Sequence, residues 1–153
     1  MDTPERIAHN QYQRTYFDTV VRARLALGAT TYVKAHVQKM LDALPVQQGQ
    51  RVLEVGAGPG KFTLPMAGRG WEIVANDLSP VLLAQLSEAS GHTIETLCCD
   101  IADAAEHVHA PFDHAMGFFV LHHLRDFDAV FGGLARVLKP GATVVFCEPV
   151  AWN

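Results

Sequence analysis

Cysteine is scarce in this chain, with 3 in 153 residues. Cys98 and Cys99 are neighbours and Cys147 stands alone. Adjacent residues of a strand point to opposite faces, so the neighbouring pair is poorly placed to form a bridge. There is no Cys-x-x-Cys and no Cys/His spacing of the metal-binding kind, so no metal site is expected, and a reduced, cytoplasmic compartment is the natural reading. Charge is sparse as well: 18% of the residues carry it, for a formal net charge of −4, and Lys and Arg form no stripe. That speaks against a nucleic-acid partner. Long apolar runs are missing too. Met1-Asp2-Thr3-Pro4-Glu5-Arg6 leads into no apolar stretch, so neither a signal peptide nor a membrane span is expected. No internal repeat or low-complexity tract is visible.

What the chain does have is apolar residues, 49% of the total. That suits one soluble domain with a sizeable core, and it exceeds what disordered chains carry. Two helices open the chain by periodicity. The first covers Pro4 to Leu27, with Ile7, Tyr16, Val20 and Leu25 among its apolar positions and Gly28 as its punctuation. The second runs from Thr30 to Leu44, with Tyr32, Val33, His36, Val37, Met40, Leu41 and Leu44 at helical spacing, and Pro45 stops it.

After Gln47-Gln48-Gly49 the period changes, and short apolar runs alternate with helical patterns. Arg51–Val55 reads as a strand, followed by a glycine-rich turn and a helix to about Gly68. Trp71–Asn76 is a second strand. Ser79 caps the next helix, and Pro80 fits its first turn. Thr93–Cys99 is a third strand, Ala102–His109 is weakly helical, and Phe112–Phe118 is a fourth strand. Asp126–Leu138 is a helix with Phe127, Val130, Phe131, Leu134, Val137 and Leu138 inward. Gly132 and Gly133 in its interior cost about 1 kcal/mol each relative to alanine. Lys139-Pro140-Gly141 ends that helix, and Ala142–Cys147 is a fifth strand. Such alternation with near-continuous apolar strands means a parallel, doubly wound α/β sheet.

The strongest motif is Val52-Leu53-Glu54-Val55-Gly56-Ala57-Gly58-Pro59-Gly60. An apolar strand enters a turn with glycines at alternate positions, and a helix follows. Glycine permits the tight turn and lets a ligand approach the backbone, while the helix start offers unpaired N–H groups. The spacing is GxGxG, with Lys61 where the dinucleotide fingerprint has its last glycine. A tight turn that binds nothing is the competing reading. Asn76-Asp77 ends the second strand, where a carboxylate can accept both ribose hydroxyls of an adenosine. As a strand-end residue, Asp77 is expected to matter little for folding. Asp100 ends the third strand, where a carboxylate can accept an adenine amino group, with Leu78 and Ile101 sandwiching the ring. Both aspartates also suit ordinary turns.

In order, VLEVGAGPGKFT, NDLSP, CCDI, FDHAMGFFVLHHL and RVLKPGATVVFCEP resemble the class I S-adenosylmethionine-dependent methyltransferases, and more closely their small-molecule branch. The match spans about Arg51 to Pro149. The resemblance implies a Rossmann-like sheet of order 3-2-1-4-5 and S-adenosyl-L-methionine as cofactor. Residues 47–153 would bind that cofactor, and the helical residues 1–46 would cover the site. Glu54 would orient the cofactor's ammonium indirectly or through water. Gly56, Ala57, Gly58 and Gly60 would form the turn along its methionine part. Asp77 would hold the ribose, Asp100 the adenine between Leu78 and Ile101, and Phe118, just past the fourth strand, would offer its carbonyl. Tyr12, Tyr16 or Phe17 would cover the methionine end, unless they simply pack the helix. The family's sheet has seven strands, so the sixth and the antiparallel seventh are expected to be absent here. The fifth strand then becomes an unblunted edge inviting self-association.

Methyl transfer from a sulfonium needs an in-line nucleophile in a water-poor pocket. His122 and His123 follow the fourth strand, near where the methyl group would sit, and an imidazole can take an acceptor proton near neutral pH. The plainer reading is that both pack the start of the next helix. The implied function is methyl transfer to a small-molecule or lipid-like acceptor. The tail from Glu148 to Asn153 also occurs in relatives with such acceptors. A non-catalytic domain, a fragment completed by a further segment or partner, and a nicotinamide oxidoreductase are the rivals. The GxGxG spacing and the acidic third-strand end argue against the last.

Overall fold

The computed structural model describes residues 3–21 and 30–149. Thr3 caps the first helix, α1 (Pro4–Tyr16), by accepting from the Arg6 amide at 3.3 Å, and Pro4 occupies its first turn. The chain continues as a π-helical turn, Phe17–Val21. The expected extension through Leu27 and the stop at Gly28 lie outside the described residues. The expected apolar face of α1 is not a buried one. Ile7, Tyr16 and Val20 are exposed, and Arg6 is the buried residue. Polar contacts dock this helix in place of an apolar stripe.

Thr30 caps α2 (Thr31–Ala43), and Leu44 closes it ahead of Pro45. Val33, Val37, Met40 and Leu44 point inward, while Tyr32 lies outside that stripe and is exposed. The strands are β1 (Arg51–Val55), β2 (Glu72–Asp77), β3 (Glu95–Cys98), β4 (Phe112–Phe118) and β5 (Leu138–Cys147). They form one sheet of order β3-β2-β1-β4-β5, and every pairing is parallel. This is the expected topology.

Alternation along β1 splits the core. Leu53 and Val55 join α5 (Phe127–Val137) on one face, while Val52 joins α2, Phe62 and Met66 on the other. A third cluster packs α4 (Pro80–Ala89) through Leu83 and Leu86 onto Ala75. Ser79 caps α4 as expected, accepting from the Leu82 amide at 3.0 Å.

Four expected elements differ. The helix after the glycine turn is only the single turn α3 (Thr63–Met66). Pro65 within it has no amide to donate, and Gly68 turns the chain at φ +77. The weakly helical stretch is a 3-10 turn, Ile101–Glu106, capped by Asp100. In α5 the buried stripe is Val130, Gly133, Leu134 and Val137, with Asp126 as its cap. Phe127 and Phe131 flank that stripe and are exposed, packing on each other with centroids 6.2 Å apart. α5 ends at Val137 and β5 already begins at Leu138, so Lys139-Pro140-Gly141 lies inside the strand and does not separate the two elements. Phe112 pairs with Leu138 and His114 with Thr143, so the residues between them bulge. Among the described residues no helix is long and apolar enough to cross a membrane.

Candidate functional site

Parallel α/β sheets place ligands in the crevice beyond the carboxyl ends of their strands. A cavity of about 340 Å³ opens there, within the usual size of a small-molecule site. Its floor is the turn after β1. Gly56, Gly58 and Gly60 have φ of +68, +55 and +93, which side-chain-bearing residues rarely adopt. A Cβ on Gly56 would stand 2.2 Å from Val120 Cγ2, so glycine is sterically required there. The turn therefore presents backbone to the cavity.

The expected residues converge. Gly56, Ala57 and Gly58 line the cavity from the turn, Asp77 and Leu78 from the end of β2, and Asp100 and Ile101 from the end of β3. Phe118, His122 and His123 line it from β4 and the turn that follows. Phe118 is the last residue of β4 and does not lie past it; its ring is buried and stacks on Phe62 at 4.4 Å. Gly60 and Glu54 do not line the cavity. Gly60 backs the turn, where a Cβ would meet Leu86 at 3.0 Å. Glu54 is fully buried beneath the turn. Burial lifts its carboxyl to about 7, with the Thr63 hydroxyl acting downward and Asp77 upward. Glu54 Oε2 and Thr63 Oγ1 are both buried, and apart from the pull of the hydroxyl on the carboxyl neither meets a well-aligned hydrogen-bond partner among the described residues.

Asp77 does more than end a strand. Its Oδ2 accepts from Gly58 N at 2.8 Å, and its Oδ1 from Ser79 N at 2.9 Å. It thus ties the glycine turn to the start of α4, and the expectation that it matters little for folding is corrected. Burial raises its pKa, the amides of Ser79, Gly58 and Leu78 oppose this, and Asp18 adds to the rise. Asp100 is engaged as well. Its Oδ2 takes Arg6 Nη1 at 2.5 Å and Asn10 Nδ2 at 2.5 Å, and its Oδ1 takes Ala102 N at 2.9 Å. Arg6 also reaches Asp103 at 3.3 Å. This is how α1 is held across the cavity, to which it contributes Asn10, Gln13 and Arg14. Of the N-terminal aromatics, Phe17 lines the cavity. Tyr12 and Tyr16 stack on each other at 6.3 Å along the exposed side of α1.

Several residues in the cavity or bonded to its lining carry no signal in the sequence. Arg6 and Asn10 belong to a polar helix with no recognisable motif. Tyr32 enters from α2 beside Phe119, with rings 6.0 Å apart, and Lys61 Nζ lies 6.0 Å from the Tyr32 ring. Glu148 sits in the fifth-strand motif, but its partner is 26 residues away: its Oε2 lies 2.6 Å from His122 Nδ1. Burial alone would raise the Glu148 carboxyl; the His122 bond and the amides of Leu121 and Val120 outweigh it and hold the group below the usual range. His123 is shifted downward by burial and by the adjoining His122, against the pull of Glu148. Burial pushes the Cys99 thiol up to about 12, and all three cysteines are free.

Comparison with known proteins agrees with this geometry. Residues 53–146 match the family model described as "Methyltransferase domain". A ubiquinone biosynthesis O-methyltransferase of Cereibacter sphaeroides is 34% identical over 122 residues, covering 76% of this chain and 48% of that protein. A tRNA 5-carboxymethoxyuridine methyltransferase of Escherichia coli is 32% identical over 112 residues, covering 68% of this chain and 43% of that protein. A solved structure of Haemonchus contortus phosphoethanolamine N-methyltransferase 2, in complex with phosphomonomethylethanolamine and S-adenosylhomocysteine, aligns with a TM-score of 0.63 at 28% identity. It covers 72% of this chain and 27% of that one. The chain spans about half the length, or less, of the curated relatives it matches. A turn built on three left-handed glycines, with an aspartate at each of the next two strand ends, thus stands on the sheet that the matched family uses, and the chain belongs to the class I S-adenosylmethionine-dependent methyltransferase family.

Proposed function

We propose that this chain is the cofactor-binding part of an S-adenosyl-L-methionine-dependent methyltransferase acting on a small-molecule or lipid-like acceptor. The observation that carries the reading is the glycine turn opening into one cavity with Asp77 and Asp100. Each oxygen of Asp77 accepts one backbone amide, so lone pairs remain for two ribose hydroxyls. Asp100 Oδ1 keeps a site for the adenine amino group. Leu78 and Ile101 supply the apolar faces for the ring. The unpartnered Glu54 Oε2 beneath the turn offers an acceptor to a water or an ammonium. Gly56, Ala57 and Gly58 hold the methionine part, Gly60 shapes the turn behind them, and Phe118 at the end of β4 offers its carbonyl. Residues 1–46 act as the covering segment, through Asn10, Phe17 and Tyr32.

When bound, the cofactor supplies a methyl group on a sulfonium that is its own leaving group. The protein's task is to align the acceptor and exclude water. Phe17, Phe118, Phe119 and Tyr32 give the cavity an apolar wall suited to both. The relatives named above span a quinone-pathway and a tRNA enzyme. The net charge of −4 and the absence of a basic stripe in the sequence favour the small molecule.

Calorimetry on the 153-residue chain tests the reading. S-adenosylhomocysteine should bind, and NAD should not. Asp77→Asn keeps an acceptor but removes the charge. Charge-assisted bonds contribute about 1.5–3 kcal/mol, so affinity should fall by one to two orders of magnitude. NAD binding without a response to S-adenosylhomocysteine would sink the proposal.

A further inference from the structure

The two histidines after β4 look equivalent in the sequence, and the structure separates them. His122 lines the cavity with a half-exposed ring, and its Nδ1 lies 2.6 Å from Glu148 Oε2. The other oxygen of Glu148 accepts the amides of Val120 at 2.9 Å and Leu121 at 2.8 Å. Three bonds therefore fix the carboxylate, and the turn that carries His122 is anchored to the same group. An ionised carboxylate can only accept, so Nδ1 carries a proton, and in the neutral ring Nε2 is the nitrogen that keeps the lone pair. His123 has a different setting. Its carbonyl meets His9 Nε2 at 2.8 Å, and its ring packs edge-on against Phe17 at 5.2 Å.

We infer that His122 is the general base of this site, that Glu148 is the positioning residue that sets its tautomer, and that the acceptor presents a hydroxyl whose proton must be removed. The inference rests on the methyltransferase reading above. The acceptor oxygen takes the methyl carbon from the sulfonium, the C–S electron pair staying on sulfur, while His122 Nε2 takes the acceptor's proton. The carboxylate behind Nδ1 stabilises the imidazolium that forms, and the half-exposed ring returns the proton to solvent. The other titratable groups around the cavity are Arg14 on α1, Tyr32 on α2, Lys61 in the glycine turn, Asp77, Cys99 and Asp100 at the strand ends, and His123 and Arg125 beside His122; His9 approaches through the His123 carbonyl. Among the described residues, Glu148 is the one carboxylate hydrogen-bonded to His122. An acceptor that reacts without losing a proton would have no use for this pair.

The tautomer is directly measurable. In the 153-residue chain labelled with 15N-histidine, neutral His122 should be the Nδ1–H form with an unprotonated Nε2. Glu148→Gln keeps an oxygen for the Val120 and Leu121 amides and turns its NH2 toward Nδ1. It should flip His122 to the Nε2–H form, blocking the base, with S-adenosylhomocysteine affinity unchanged by calorimetry. With S-adenosylhomocysteine bound, catechol as a hydroxyl probe should shift the Nε2 resonance in the native chain and not in Glu148→Gln. An Nε2–H tautomer in the native chain overturns the proposal even if the variant does not fold. A variant that folds and leaves the tautomer unchanged overturns the role of Glu148, and a silent Nε2 resonance with catechol overturns the hydroxyl acceptor. Failure of the native chain to bind S-adenosylhomocysteine would instead strike the methyltransferase reading and leave the tautomer result standing.

Discussion

Gly133 of α5 lies directly against the turn that carries Ile101: a Cβ built on it would stand 2.4 Å from the Ile101 carbonyl oxygen and 2.7 Å from Ala102 Cα. Backbone cannot swing aside as a flexible side chain can. The helix pays its glycine cost to bring Val130 and Leu134 into the same cluster as Ile101. Gly132, one residue earlier, would meet only Arg136 Nη1, at 3.7 Å.

The two glycines should therefore respond oppositely. Gly133→Ala should destabilise the fold by about 1–3 kcal/mol, the usual cost of overpacking, and weaken S-adenosylhomocysteine binding by displacing Ile101. Gly132→Ala should stabilise by up to about 1 kcal/mol and leave binding alone. Urea denaturation and calorimetry on both variants check this; equal effects would show that the contact at Ile101 does not constrain α5.

Glu54 sets a pH dependence. Burial lifts its carboxyl from an ordinary 4.5 to about 7 in the folded chain. Between those values the native state holds a proton that the unfolded chain has already released, so stability falls as pH rises. The contribution is intact below about 4.5, and the full loss, on the order of 3 kcal/mol, is in place above about 7. Glu54→Gln should thus be more stable than the native chain at pH 8 and gain nothing at pH 4. Denaturation midpoints at the two pH values decide it, and a gain that is the same at both would refute the shift.

The fifth strand offers a third test. β5 pairs with β4 on one side, and no described strand covers its other side. Its stretch Ala142–Cys147 has no charge and no proline, so little in it discourages pairing with a second chain. Val145 packs on the cluster around α2, so replacing it would damage the core; Val144, 38% exposed, is the usable position. If the 153-residue chain self-associates through this edge, Val144→Lys should weaken the association in light scattering over a range of concentrations. A monodisperse native chain at all of them would refute the edge contact.

The sheet was legible because its signals are local. β1 and β4 fall on the expected residues, since apolar runs bounded by Gly49 and Gly56, or by Pro111 and the turn after Phe118, fit no other element. The cap at Ser79 and the helix starts at Thr30 and Asp126, both of which prove to be caps, were legible for the same reason. The first helix misled because periodicity presumes an apolar partner, and α1 docks instead through Arg6 and Asn10 on Asp100.

By itself, the sequence determined which backbone faces the cavity. Three glycines at alternate positions after an apolar strand admit few other conformations, and the acidic strand ends follow from their register with that turn. Only the tertiary structure decided what those groups touch. Glu148 meets His122 because β5 lies beside β4, and Arg6 meets Asp100 because α1 folds back across 94 positions of chain. Side-chain pairing between distant segments is set by the packing of whole elements, and neither member of such a pair carries a local mark of the other.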